Sequence, residues 1–419
     1  MQKHVPLAAP GSTPSLDFIV VGAGPAGSRA AELFSRRGAD VLLMDPKAPW
    51  EKPCGGGLTA AALENTPELR ELAPHTQTIE EILVVAPSGA SIVIPLRSPY
   101  ETVSRERLGK WGLDRAQAAG ARFRRLGVKT IMREAGGWLV ADEHGEIRRC
   151  RWLLAADGAA SRLRGQLAPD LRPELAPLRV AYPRRGVSSG RAVFQFLSAA
   201  EGYLWDFPRP GHHSVGIGVA PGTFSRTDLD HAIDQYRIGE AGDREPAPFS
   251  GGVIASSNWM SGDFSDLGGS DYALLGDAGG LADPATGEGI DYAFRSAAIA
   301  VDAFDPGSGF SRYPHAVKAA FGAEMRRSRL VRNRLYRPEV AEKLVRSARR
   351  SPRAALILMS MVDAVNEHRS LRSAVRRGLF ARIPPRHPAR AVCECPDGPD
   401  PARVGCDDGQ ATQMAASSM

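Results

Sequence analysis

Apolar residues along this chain fall into short continuous runs bounded by glycine, alternating with stretches of helical spacing. The run from Asp17 to Val21 ends at Gly22 and reads as a strand buried on both faces. Between Ser28 and Arg37 the apolar positions Ala30, Ala31 and Phe34 recur at helical spacing. Gly38 then supplies a stop before the apolar run Val41 to Met44. Together these segments predict one βαβ unit.

Farther along, Ile82 to Val85 and Ser91 to Ile94 flank a Pro87-Ser88-Gly89 turn, the pattern of a hairpin. Arg105 to Gly120 reads as a helix, and Trp138 to Ala141 with Glu146 to Leu154 as strands joined at His144-Gly145. The block from Val180 to Ala220 is β-rich, with strands expected at Val193 to Leu197, Tyr203 to Phe207 and Ser214 to Val219. Strand and glycine loop return at Tyr272 to Gly280, followed by a helix from Gly289 to Phe304. Basic helices are expected from Tyr313 to Phe380.

Composition narrows the class. At 419 residues with 43% hydrophobic and 24% charged positions, the chain has the make-up of a globular protein of two or three subdomains. No apolar run reaches the roughly 18 residues a membrane-crossing helix needs. Five scattered cysteines make no disulfide framework, so a cytoplasmic setting is expected. The net charge of +6 is concentrated between Arg326 and Arg390, a basic surface suited to an anionic membrane or left as a solvated face; no nucleic acid is expected. The pair His212-His213 is expected to be solvated. Cys393, Cys395 and Cys406 lack a fourth well-spaced ligand, and no metal is expected.

The loop after the first strand carries the first chemical signal. Gly22 permits the tight turn, Gly24 lets backbone approach a pyrophosphate, and Gly27 allows close packing of helix on strand, with Ala26 between them. The anion would sit at the positive end of the helix. Asp45, at the end of the second strand, stands where an acid would hold ribose hydroxyls. This pattern indicates a dinucleotide but does not separate FAD from NAD.

Two later segments bear on that choice. Leu153 to Arg164, containing Asp157-Gly158, resembles the Asp-Gly motif of the flavoprotein superfamily typified by para-hydroxybenzoate hydroxylase. Leu274 to Pro284, containing Gly276-Asp277, resembles that superfamily's Gly-Asp motif. The resemblance implies FAD as cofactor, with Asp277 on the ribityl chain. Val103 to Leu108 is similar to the superfamily's arginine-bearing helix start and would place Arg105 near the FAD phosphates, although Gly109 stands where that family usually has aspartate; a solvated arginine is the other reading.

Within the superfamily the chain most resembles the geranylgeranyl reductase family, over about Asp17 to Ala300. The segments that carry this are Lys52-Pro53-Cys54-Gly55-Gly56-Gly57-Leu58, Gly202-Tyr203-Leu204-Trp205-Asp206-Phe207-Pro208-Arg209 and Asp283-Pro284-Ala285-Thr286-Gly287-Glu288-Gly289-Ile290. A glycine run including Gly56 can lie flat against a planar ring. Cys54 would then face the flavin, as proton donor or as a small packing residue. Tyr203, Trp205 and Phe207 alternate at strand period and share one face, either as core or as an apolar wall for an isoprenoid chain. Gly287, Gly289 and Ile290 would start a helix whose amides point at the flavin, with Glu288 as a first-turn acid.

The fold this implies is α/β: a Rossmann-like FAD-binding domain with a β-rich substrate domain and a C-terminal helical region. Its expected layout is a disordered leader at 1–15 and a first FAD-binding part at 16–175 with substrate-domain strands inserted at about 75–105. A β-rich substrate domain follows at 176–260, a second FAD-binding part at 261–310, basic helices at 311–382 and a disordered tail at 383–419. The implied activity is reduction of isoprenoid C=C bonds on a prenyl-chain small molecule or lipid. NADPH or reduced ferredoxin would be the external reductant, and the protein could sit peripherally on the inner face of the membrane. A class A flavin monooxygenase or halogenase acting on an aromatic compound shares the FAD motifs, and a flavin-containing redox sensor is a third possibility.

Overall fold

The computed structural model describes residues 16–184, 190–222, 224–243, 245–257, 264–366, 376 and 390–391. The leader at 1–15, nearly all of the tail from 383 and the cysteines at 393, 395 and 406 lie outside the described residues.

The first half of the chain runs β1 (Leu16–Val21), α1 (Pro25–Arg36), β2 (Val41–Met44), β3 (Gly57–Leu58), α2 (Ala60–Asn65), β4 (Thr76–Val85) and β5 (Ser91–Val103). It continues through α3 (Arg105–Ala118), β6 (Arg122–Arg124), β7 (Val128–Glu134), β8 (Gly137–Asp142), β9 (Ile147–Ala155) and α4 (Arg162–Leu167). The second half holds β10 (Glu174–Ala181), β11 (Arg191–Phe196), β12 (Gly202–Arg209), β13 (His212–Val219), α5 (Arg226–Gln235), β14 (Phe249–Ser256) and β15 (Tyr272–Leu274). Four helices follow: α6 (Ile290–Ala303), α7 (Tyr313–Leu335), α8 (Pro338–Arg350) and α9 (Pro352–Asn366).

Among the described residues the strands form two sheets. The first has the order β6-β2-β1-β9-β8-β7, with β15 added beside β9. Its central strands are parallel, Phe18 lying opposite Val41 on one side and Trp152 on the other. This is the doubly covered arrangement that a continuous apolar run demands. Phe18 stacks on Phe34 of α1 at 4.1 Å and on Trp152 at 5.1 Å, each such ring contributing about 1.5–3 kcal/mol by burial. Proline at the first turn of α1 and left-handed Gly38 after it bound that helix as the pattern predicts.

The second sheet has the order β14-β10-β13-β12-β11-β4-β5, with β3 on β5. β4 and β5 extend well beyond the expected hairpin, and Gly57 pairs with Thr102 so that the cysteine-glycine segment is tied to the end of β5. β7 and α5 are absent from the reading of the sequence. β7 buries only Ile131 fully, so its alternation is weak; α5 instead begins at a Ser225–Asp228 capping box, a local signal independent of apolar spacing.

The C-terminal helices are more than a basic surface. Val345, Ala348, Ala355, Leu356 and Met359 pack against Val84, Ile92 and Ile94 of the second sheet. Their arginines therefore decorate the outside of a layer whose inside is core.

Candidate functional site

A cavity of about 980 Å³ runs from the glycine loop after β1, past the cysteine-glycine loop, to the space between the second sheet and the C-terminal helices. At its first end the chain turns at Gly22 with φ +99°. A Cβ there would stand 2.2 Å from the Ala156 carbonyl oxygen, so β9 and the loop meet backbone to backbone. Gly24 faces open space, and no side chain caps the helix it begins. Ala26 lines the cavity beside it, while Gly27 is pressed against Gly22. Open space at an uncapped helix N-terminus is the geometry that receives a pyrophosphate.

Asp45 accepts a hydrogen bond from the Ala23 amide at 2.9 Å and bonds from the Lys47 and Ala48 amides, which aim it into the cavity wall. Asp157 accepts from the Ser161 hydroxyl at 2.6 Å and the Arg162 amide at 2.9 Å, holding Gly158 at the cavity edge. Asp277, following Gly276, pairs with Lys52 at 2.9 Å. Gly287, Gly289 and Ile290 border the same space, α6 beginning at Ile290 with Gly289 as its cap. Glu288 precedes the helix instead of sitting in its first turn, and accepts from the Asp291 amide at 2.9 Å.

Arg105 is buried, not solvated. Its burial works against the charge, but Cys54, Asp277 and Glu51 around it hold its pKa above the ordinary arginine value. Its Nε finds no partner among the described residues. A buried donor left open in a cavity wall calls for an acceptor from a bound molecule.

The loop from Cys54 to Gly57 lies flat on β12. A Cβ on Gly55 would stand 2.7 Å from the Phe207 ring. Gly56 adopts φ +74°, and its amide donates to Cys54 Sγ at 3.3 Å. The other cysteine described, Cys150, is sealed in the core, where burial pushes its thiol up to about 12. Cys54 lines the cavity instead.

Beyond the cysteine the walls turn apolar. Tyr203, Trp205 and Phe207 all line the cavity, while the alternate residue Leu204 packs with Leu229 and Ile233 of α5. Tyr203 stacks on Phe194 at 4.2 Å and on Tyr336 at 6.0 Å, and donates its hydroxyl to the Thr286 carbonyl. Opposite stand Leu344, Leu358, Met361 and Val362 from α8 and α9.

Several participants escaped the reading of the sequence. Arg164, buried, donates to the carbonyls of Ala159 and Ala278 and so clips the Asp-Gly and Gly-Asp loops together. Glu51 and Arg209 brace the cysteine loop through an ion pair of 2.7 Å. Arg209 continues the alternation of Tyr203, Trp205 and Phe207, so its inward face was readable; Glu51 had no local signal. The histidines expected to be solvated are half-buried: His213 Nδ1 lies 2.6 Å from Asp206, and burial lowers the pKa of His212, which packs on Tyr182.

Comparison with known proteins agrees with this geometry. The family model for lycopene cyclase protein matches residues 17–176. A menaquinone reductase of Mycobacterium tuberculosis is 32% identical over 320 residues, 70% of this chain and 77% of the relative. Digeranylgeranylglycerophospholipid reductase 2 of Methanopyrus kandleri is 30% identical over 298 residues, covering 65% and 73%. Among solved structures, a geranylgeranyl bacteriochlorophyll reductase-like protein of Thermoplasma acidophilum superposes with TM-score 0.69 at 22% identity, covering 88% of this chain and 96% of that one. The flavin-dependent brominase Bmp2 superposes with TM-score 0.66 at 14% identity, over 87% and 98%, a likeness of fold. With the glycine cradle, the cysteine loop and the aromatic strand gathered on one cavity, the chain belongs to the geranylgeranyl reductase family of FAD-dependent flavoproteins.

Proposed function

We propose that this chain reduces C=C double bonds of an isoprenoid chain, carried on a quinone or lipid, with FAD as its hydride source. The observation that carries this reading is the continuity of the cavity: a glycine-lined dinucleotide cradle opens directly into an arm walled by aromatic and aliphatic side chains. Relatives named for menaquinone and for a geranylgeranyl lipid share a polyprenyl chain as the common element of what they act on.

The open space at Gly24 and the Arg105 Nε, without a partner among the described residues, support a fit to FAD. Gly22, Gly24, Ala26 and Gly27 would hold the pyrophosphate and Asp45 the ribose. Arg105, Asp157 and Gly158 would flank the phosphates, and Gly276 and Asp277 the ribityl chain. Gly56, Gly287, Gly289 and Ile290 would border the ring, the start of α6 favouring negative charge there. When bound and reduced, FAD supplies a hydride to one alkene carbon.

The protein's own contribution is placement and a proton. Tyr203, Trp205 and Phe207 press the prenyl chain into the arm and keep water from it. Cys54 gives its thiol proton to the second alkene carbon and is reprotonated from solvent. Hydride and proton together replace the π bond, and the two electrons are restored by an external donor, NADPH or reduced ferredoxin. Exposed arginines on α7 and α8 suit peripheral attachment to the inner face of an anionic membrane, where prenyl lipids reside.

The test is anaerobic. The FAD-loaded protein is reduced with dithionite, then offered geranylgeranyl diphosphate, a prenylated quinone or a polyprenyl lipid, and products are weighed by mass spectrometry. A gain of about two mass units per bond is expected. Hydroxylation or halogenation of an aromatic compound that requires oxygen would overturn the reading.

A further inference from the structure

The cysteine loop is held by an arginine that the proposed chemistry leaves unused. Arg209 sits at the end of β12 with its side chain 0% exposed. Its Nη2 donates to the Cys54 carbonyl at 2.6 Å and its Nε to the Gly55 carbonyl at 3.3 Å. Its Nη1 meets Glu51 at 2.7 Å, and the guanidinium lies over the Tyr182 ring at 5.3 Å. No polar atom of Arg209 is spent on solvent.

Glu51 passes this hold onward. Its carboxylate accepts from the Ser104 hydroxyl at 2.5 Å, the Arg105 amide at 3.1 Å and the Glu106 amide at 3.2 Å, so it caps α3 as well as pairing with Arg209. The first residue of α3 is Arg105, itself buried. The contacts run in one line from the Cys54 carbonyl through Arg209 and Glu51 to the start of α3. Ser214 donates to the same Cys54 carbonyl at 2.9 Å from the neighbouring strand. The Cys54 carbonyl is thus held by a buried charge-assisted bond, the strong kind, as well as by a hydroxyl.

A loop of glycines has no side chains of its own to define its height above a sheet. We propose that Arg209 is a positioning residue for the reaction: its planar fork, braced by Glu51, sets the tilt of the Cys54–Gly57 loop so that the thiol faces the reacting bond. A point charge would not do the same, since two carbonyls and a carboxylate are engaged in one plane. The catalytic consequence rests on the reductase reading, but the geometry of the loop does not.

The experiment uses the full chain loaded with FAD, in the wild type and as Arg209→Met, Arg209→Lys and Glu51→Gln. The rate at which iodoacetamide alkylates Cys54 is followed by peptide mass spectrometry with Cys150 as the inert internal reference, alongside the visible spectrum of bound flavin. Neither readout needs a prenyl substrate, so they judge the loop even if the substrate class is wrong. Arg209→Met is expected to free the loop, raising Cys54 alkylation by about tenfold and shifting the flavin bands. With substrate, kcat should fall by about tenfold or more while KM changes little. Arg209→Lys should recover only part of this, and Glu51→Gln should reproduce a smaller effect in the same direction. If Arg209→Met does not fold, the two milder variants decide the matter. Alkylation and spectrum within about twofold of wild type in the folded variants would overturn the proposal.

Discussion

Gly216 lies directly beneath the Trp205 indole. The two residues face each other on neighbouring strands, and a Cβ on Gly216 would stand 2.2 Å from Cζ2 of that ring. Trp205 Nε1 in turn donates to Ser214 Oγ at 3.2 Å, and Ser214 holds the Cys54 carbonyl. Gly216→Ala is therefore expected to push the indole toward the cavity and loosen Ser214. Overpacking of this kind costs about 1–3 kcal/mol. The variant should melt lower and turn over prenyl substrate more slowly while still holding FAD, which a thermal melt, a flavin titration and a rate assay read separately.

What was legible in the sequence was what short spacing encodes. The glycine cradle and the shared face of Tyr203, Trp205 and Phe207 follow from periods of a few residues, the Asp-Gly and Gly-Asp loops from their resemblance to family motifs, and the structure gathers them on one cavity. The Glu51–Arg209 pair spans 158 positions, and no local pattern announces a contact of that range. The C-terminal helices misled for a different reason. Their arginines dominate the composition, yet Val345, Leu356 and Met359 bury a core face and Leu358 and Met361 wall the cavity. Charge marked the outer surface and concealed the inner one.

The two glycines of the cradle should fail in different ways. A side chain on Gly22 would collide with the Ala156 carbonyl and demand a left-handed backbone, so Gly22→Val is expected to destabilise the fold itself. Gly24 has nothing within 4 Å of its Cβ direction. Gly24→Val should fold with a melting temperature near that of the wild type but bind FAD at least about tenfold more weakly, because the space it fills is where the pyrophosphate would lie. Flavin fluorescence titration with a parallel melt distinguishes them. Equal FAD affinity in Gly24→Val would remove the pyrophosphate from this loop.

Glu51 gives the fold a measurable acid sensitivity. Burial alone would raise its pKa, but Arg209 and the bonds from Ser104 and Arg105 outweigh that and draw it below the ordinary glutamate value. A carboxylate whose folded pKa is depressed contributes stability that is fully present above the unfolded pKa and is lost as pH falls through the folded one. The wild type should therefore lose stability below about pH 4.5 more steeply than Glu51→Gln, while the variant starts lower at pH 7. Urea unfolding at stepped pH reads the difference. Parallel curves for the two proteins would mean that Glu51 is not braced as described.

Cys54 provides the sharpest test of the chemistry. If its thiol supplies the proton to the second alkene carbon, Cys54→Ala should retain FAD and its melting temperature while reduction of the prenyl chain slows by about 10²–10⁴-fold, the range general acid catalysis commands. Cys54→Ser keeps the size and the hydrogen bond from the Gly56 amide but offers a much weaker acid, so it should resemble alanine in rate and the wild type in stability. Single-turnover measurements with prereduced enzyme isolate this step from electron delivery. Unchanged turnover in both variants would assign the proton to water and leave Cys54 as a packing residue.

The outer face of the C-terminal helices carries the last expectation. On α7, Leu330 and Arg334 share one stripe at helical spacing, and Val340 and Lys343 share another on α8. All four are exposed, the leucine at 50%, a mixture of cations and apolar tips suited to a lipid headgroup region. Attraction to an anionic bilayer is worth about 1 kcal/mol per basic residue near the surface and fades with salt. The full chain should therefore cosediment with vesicles containing phosphatidylserine at low ionic strength, and less so with neutral vesicles or in high salt. Changing Arg334 and Lys343 together to glutamate should weaken this binding while leaving reduction of a detergent-dispersed prenyl substrate intact. Equal sedimentation with neutral and anionic vesicles would mean that charge does not bring this enzyme to its lipid.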